Sequence, residues 1–542
     1  MTAPTVTTTT AAIVRAALDV RTFPGASPFV AAYTRAFDSV SPLFAGNPAD
    51  PSAWRAAIRR ANAAERDRAA IAGILRAQLE RRDAPSEARA MAARLTQPNA
   101  VTIVTGQQAG AFAGPLYTLL KAITTLQLAR QIEAQHGVPV VPIFWADGED
   151  HDWQEIRATS VLDRSGNLTD IAMPQFDGTG DARSVDIVFD ERVNGVVDAL
   201  FAAMPETAFS GDLREAVCRC YAPGRSMAEA YARFMDHLLG RYGLVVFESA
   251  DPAAKPLARE IFANELRSPG RSSQLAAAAG ERSRALGFPP QVVPIEGSAA
   301  LFRLSPSRDA IPVPFDGSAL ADEALAHPER FSPNVLLRPI VQDWIFPNVA
   351  YVAGPGELAY HGQLEGIYKA FGVPRPLLYP RASASIMDAR AMRFIERYSM
   401  PMTSLTQPDE SALNRLIETQ LPEDARTAFS GAAEAVAERW GGLMTSIPQV
   451  DPTLEGAARG SLKRLQHEIE TLQWKTLRAV KRREGDMRRQ FRHAQQLAFP
   501  RGKPQDRVLG VVYFANQYGP ALTDKLVAEL PTDMGNHWMV AL

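Results

Sequence analysis

Six consecutive residues, Asp147-Gly148-Glu149-Asp150-His151-Asp152, bring together four carboxylates and one imidazole. So much like charge is unfavourable unless the acids meet a cation or share protons. His151 is therefore a candidate general acid or base, with Asp150 and Glu149 as further catalytic candidates. Alternatively, the acids coordinate Mg²⁺. A third reading is a solvated loop, with Asp152 capping the next helix and Glu155 at that helix's third position.

Two glycine-bearing segments offer ligand contacts. Thr105-Gly106-Gln107-Gln108-Ala109-Gly110 runs on to Gly114. Glycine lets a backbone come close to a ligand, and free N–H groups at a helix start favour phosphate. The segment is neither a Walker A loop nor GxGxxG, and a plain tight turn is the alternative. Thr105, Gly106, Gln107, Gln108, Gly110 and Gly114 are the candidates. The other segment runs from Arg338-Pro339-Ile340-Val341-Gln342-Asp343 to Gly354-Pro355-Gly356-Glu357. Arg338 suits a substrate carboxylate through its forked guanidinium, and Glu357 suits an amino group. Gln342, Gly354 and Gly356 stand beside them; the alternative is a structural loop with Arg338 in an internal ion pair. Arg381 followed by Ser383 and Ser385 resembles a degenerate signature loop of class I aminoacyl-tRNA synthetases, which implies phosphate contacts for Arg381 and Ser383.

The elements around these motifs alternate. Val101–Val104 reads as a buried parallel strand, Pro115–Ala134 as an apolar-faced helix and Val138–Trp145 as the next strand. That is the βαβ pattern. Residues 1–98 read as helical. Val185–Phe189 reads as an antiparallel strand in an insertion, Ala228–Leu239 as a helix, and Gly243–Glu248 as a core strand. Val292–Leu304 suits a hairpin. Val349–Ala353 and Leu377–Tyr379 read as later core strands, separated by a helix over Tyr360–Phe371. Residues 390–500 carry almost no strand signal, and Leu462, Leu465, Ile469 and Leu472 fall at coiled-coil spacing for about two heptads. The tail turns to β at Val508–Tyr513.

The whole chain bounds the function. Its 542 residues, 46% apolar and 22% charged, suit several folded domains, and a net charge of −2 gives no overall pull toward nucleic acid or membrane. Between Arg459 and Lys503 there are 13 basic and 4 acidic residues, a local +9 that reads mainly as a solvated helix face. Cys218 and Cys220 suit structural roles in a reducing compartment and, with scattered histidines, match no zinc spacing. Met1–Ala12 has no positive charge, and no apolar run reaches about 20 residues, so the expectation is a cytoplasmic protein without a membrane span.

Five stretches carry a family resemblance: Thr105–Ala122, Pro142–Ile156, Ser332–Asp343, Ala350–Gln363 and Arg507–Gly519. Together, in order, they resemble the BshC family of bacillithiol biosynthesis. The resemblance implies an α/β fold, a Rossmann-like nucleotide-binding core with connecting insertions plus an α-helical coiled-coil domain that pairs two chains. The implied boundaries are 1–160 for N-terminal helices and the first half of the core, and 161–240 for an insertion. A core strand at 241–255, a second insertion at 256–330 and the second core half at 331–389 follow. The coiled-coil domain takes 390–504, and 505–542 returns to the core. The implied reaction is a ligation of L-cysteine to glucosaminyl-malate, the last step to bacillithiol. A carboxylate must be activated to acylate an amine, so ATP, with ADP as a product form, is the expected co-substrate. The Gly106–Gly110 loop and Arg381 would hold phosphates, His151 would take the amine proton, and Arg338 would hold malyl carboxylates. No resident metal is expected; Mg²⁺ would accompany the nucleotide. The rival classes are a metal-dependent nucleotidyltransferase or hydrolase using residues 147–152, and a non-enzymatic dimeric scaffold.

Overall fold

A computed structural model describes residues 13–177, 179–180, 182–294, 297–304, 308–407, 409–419, 423–483 and 485–542. The reading of Met1–Ala12 lies outside the described residues. The chain forms two units: one runs to Ile386 and resumes at Lys503, and the other is Met387–Gly502.

The first unit is built on a five-stranded, all-parallel sheet in the order Leu377–Pro380, Asn348–Ala353, Val101–Gln108, Val140–Asp147, Val245–Glu248. Its central strands are rich in β-branched residues and buried on both faces, as a helix-covered parallel sheet requires. The crossover helix Leu116–His136 is buried on nearly every side and ends where Gly137 takes a left-handed conformation, its N–H bonding Glu133 O at 2.9 Å. This is the expected βαβ core. The strand expected at Val101–Val104 continues to Gln108, so Thr105 to Gln108 are strand residues rather than a turn. A smaller sheet has Asn536–Val540 between Val14–Asp19, antiparallel to it, and Ser383–Ile386, parallel to it.

Several local expectations are corrected. The N-terminal region contains the strand Val14–Asp19 before its helices. Among the described residues, Val185–Phe189 makes one isolated bridge, Val188 to Ser226, closed by Phe189 N–H to Arg225 O and Met227 N–H to Ile187 O; the ladder goes no further because the partner segment turns into the helix Met227–Leu239. The hairpin begins later than expected, pairing Ser298–Leu304 with Arg308–Pro312; Pro294 lacks an N–H to join a ladder, and residues 295–296 lie outside the described set. The helix expected over Tyr360–Phe371 is two helices, Pro355–His361 and Glu365–Phe371. Val508–Tyr513 is not a strand: Val511–Tyr518 is a helix whose apolar residues are buried all round, a case where periodicity cannot separate helix from strand.

The second unit is helical. Glu423–Val450 and Glu455–Arg483 form a long hairpin joined by a short turn, with Trp440 Nε1 donating to Ala458 O at 2.9 Å between them. Leu462 and Ile469 are half-buried, but Leu465 and Leu472 are 39% and 58% exposed. Among the described residues, no helix is long and apolar enough to cross a membrane.

Candidate functional site

An open cleft of about 660 Å³ lies at the carboxyl ends of the parallel strands, where ligands of such sheets bind. Gly106 forms part of its floor because no side chain fits there: a Cβ would lie 2.9 Å from Trp145 O on the adjacent strand. Behind it stands Lys121, buried in the crossover helix. Its ammonium donates to Gly106 O at 2.8 Å and to Gln107 Oε1 at 3.0 Å, and pairs with Glu357 Oε2 at 2.5 Å. Burial pulls the lysine down in pKa, and Glu357 pulls it back. Glu357 also accepts from Tyr351 O–H at 2.6 Å and Gly354 N–H at 2.7 Å. Burial pushes its carboxyl up, but Lys121, Tyr351 and Gly354 together leave it below the usual carboxylate range. Glu357 thus meets an internal cation and is not a free receptor for a substrate amine.

The backbone of the Thr105–Gly114 segment is committed internally. Gly110 N–H bonds Gln108 O and Gly114 N–H bonds Ala111 O, so neither is a free phosphate donor, and both glycines lie off the cleft. Thr105 is buried with its hydroxyl on Val352 O at 2.8 Å. Gln107 and Gln108 do line the cleft. Gln108 Nε2 donates to Asp150 Oδ2 at 2.8 Å and Glu155 Oε2 at 3.0 Å.

The acidic run divides between cleft and interior. Asp147, Asp150 and His151 line the cleft. Burial pushes Asp147 up in pKa, against Arg338 and Arg308, which pull it down. Glu149 is buried, does not line the cleft and is paired with Lys255, which also donates to Phe331 O at 2.9 Å and so ties the loop down. Arg308, from the hairpin, lies 2.9 Å from His151 Nδ1. A guanidinium can only donate, so Nδ1 accepts and a neutral His151 carries its proton on Nε2. Among the described residues, no group of three or more His, Cys, Asp or Glu could hold a metal.

The cations are unequal. Arg381 lines the cleft but is paired with Asp506 at 2.6 Å. Arg338 has neutral partners, Gln342 Oε1 at 3.1 Å and Tyr360 O–H at 3.2 Å. Among the described residues, neither Arg338 nor Arg507 has a carboxylate ion-pair partner. The internal ion pair considered for Arg338 is therefore absent among them. Gln342 is fully buried beneath Arg338, and Ser383 turns to His537 Nδ1 at 2.8 Å in the smaller sheet; neither lines the cleft. Gly354 and Gly356 do.

Sequence reasoning missed Lys121, Tyr117, Arg308 and Arg507. Lys121 had a signal: it is the one charged residue in the stretch Leu116–Ala129 of this helix, one turn after Tyr117. Arg308 had none, because only the hairpin's fold brings it to His151. Cys218 and Cys220 are unpaired; burial pushes the Cys220 thiol up to about 12, which makes it inert.

Two family models match the chain. One, described as the N-terminal Rossmann-like domain of bacillithiol biosynthesis BshC, covers residues 17–382; the other, its C-terminal coiled-coil domain, covers 384–542. Relatives named "Putative cysteine ligase BshC" match over most of the chain. That of Salinibacter ruber is 33% identical over 527 residues, 94% of this chain and 95% of the relative. That of Chlorobaculum tepidum is 31% identical over 490 residues, 85% of this chain and 86% of the relative. That of Bacillus licheniformis is 26% identical over 534 residues, 95% and 98% of the two chains.

Proposed function

The chain belongs to the BshC family, and on that premise we propose that this ligase joins the carboxyl group of L-cysteine to the amine of glucosaminyl-malate, forming bacillithiol. The observation that carries the reading is the cleft's lining by cations without carboxylate ion-pair partners among the described residues, Arg308, Arg338 and Arg507, together with the carboxylates Asp147 and Asp150. Such a cleft suits a ligand with several anionic groups and one amine. Arg338, fixed by Gln342 and Tyr360, holds malyl carboxylate. Arg507 and the outer face of Arg381 take nucleotide phosphate. ATP supplies the activation that gives the cysteine carboxyl a good leaving group. Asp150 accepts the proton lost by the attacking amine, because His151 already uses Nδ1 as an acceptor and offers an N–H at Nε2. That N–H can stabilise the developing oxyanion. The exposed seam of the helical hairpin, with Leu465 and Leu472, pairs two copies of the chain. Two unpaired cysteines suit the reducing cytoplasm.

Mass spectrometry of purified protein with L-cysteine, glucosaminyl-malate and Mg²⁺, with and without ATP, tests the reading. Bacillithiol forming only with ATP is expected. No product in either case from a folded protein overturns it.

A further inference from the structure

Lys121 stands at one end of a continuous hydrogen-bond chain. It has three N–H bonds and three acceptors, Gly106 O, Gln107 Oε1 and Glu357 Oε2. An ammonium only donates, so Gln107 must turn its amide oxygen to it. The Gln107 amide nitrogen then faces away, donating to Gln108 Oε1 at 3.0 Å and Tyr117 O–H at 3.1 Å. Burial pushes the Tyr117 hydroxyl up to about 12, so it stays a neutral phenol. Gln108 in turn presents its amide nitrogen to Asp150 Oδ2 and Glu155 Oε2. Both ends require the same polarity. The cation demands oxygens on one side, and the two carboxylates demand N–H groups on the other. The remaining oxygen of Asp150 accepts from Asp152 N–H at 2.8 Å. Each carboxyl oxygen of Asp150 thus has one fixed donor.

We propose that Lys121 is a positioning residue: through the Gln107 and Gln108 amides it holds Asp150 where it accepts the amine proton. The inference rests on the assignment of Asp150 above. In the step it serves, the amine nitrogen bonds to the carbonyl carbon of the phosphate-activated acyl donor. The carbon–oxygen bond to phosphate breaks, and the proton leaves nitrogen for an Asp150 oxygen. The two glutamines line the cleft with both N–H groups of each amide taken by protein partners, so they orient the acid and are not the main grip on substrate. A fixed acceptor matters because proton-transfer catalysis depends on geometry within hydrogen-bond reach.

Gln107→Glu tests this with little change of shape. A glutamate still accepts from Lys121 but has no N–H for Gln108 Oε1, so Gln108 must reverse and turn its oxygen on Asp150. Lys121→Met removes the cation itself. Two readouts are taken on each variant: crystal structures without substrate, and steady-state kinetics of bacillithiol formation. The expected result is an Asp150 carboxylate displaced from residue 108, with kcat lowered roughly tenfold to a hundredfold and KM for both substrates within about threefold of wild type. If Lys121→Met fails to fold, Gln107→Glu decides alone. An unmoved Asp150 in the folded variants overturns the relay, whether or not bacillithiol is the product. A KM increase with kcat unchanged overturns it too, since the amides would then bind substrate directly. Asp150→Asn at wild-type turnover instead removes the base assignment while leaving the ligase reading intact.

Discussion

Asp343 is a carboxyl group whose surroundings make it hold its proton to a higher pH than a carboxyl in water. It is 1% exposed and accepts from Gln342 Nε2 at 2.9 Å, Asn348 Nδ2 at 2.8 Å and the Tyr368 hydroxyl. Burial pushes it up to about 6, although these donors and Arg338 pull the other way. Between about pH 4 and pH 6 the folded chain therefore holds a proton that the unfolded chain has released. Stability present below pH 4 is lost as pH rises through 6, by about 3 kcal/mol for such a shift. Asp343→Asn is expected to remove this slope, read as the difference between variant and wild-type urea unfolding at pH 4, 5 and 6. Parallel curves would refute the assignment. At this scale the sequence revealed chemistry better than partners. Asp150, His151, Arg338 and Gln108 are visible as unusual polar residues, and all line the cleft. That Glu357 belongs to Lys121, Glu149 to Lys255 and Arg381 to Asp506 was not visible, because each pair joins segments far apart in the chain.

Among the elements, the helical hairpin of the second unit carries apolar residues it does not cover. Leu472 is 58% exposed and Trp474 44% exposed on the helix Glu455–Arg483. Replacing Leu465 and Leu472 together by Glu is expected to weaken self-association at least roughly tenfold. Sedimentation velocity over a concentration series checks this; an unchanged mass would refute pairing through this seam. The periodicity of Leu462, Leu465, Ile469 and Leu472 marked this element in the sequence, as the strand–helix–strand run from Val101 to Trp145 marked the core. Short apolar runs were the failures. Val511–Ala515 has the composition of a buried strand but forms a helix enclosed on all sides. Val14–Asp19 alternates too weakly to announce itself, and among the described residues its ladder partner is Asn536–Val540.

Over the whole molecule, the chain leaves its first unit at Ile386 and returns at Lys503. The returning segment is integral to that unit. Asn536–Val540 is the middle strand of the smaller sheet, and Gln505 bonds both the N–H and the carbonyl of Ile386, at 2.7 and 2.8 Å. A chain ending at Gly502 is expected to lose the cooperative melt of the first unit, seen by circular dichroism; a melt at the wild-type temperature would contradict this. The same topology sets an order of events on the ribosome. Ser383–Ile386 emerges about 150 residues before the strand it must pair with. At roughly 5–20 residues per second, that interval is on the order of 8–30 s. During it, Val14–Asp19 and Ser383–Ile386 each lack their middle strand and could pair with a neighbouring nascent chain. The interval of synthesis between Ile386 and Asn536, more than the finished sheet, is when these two edges are open to pairing with another chain.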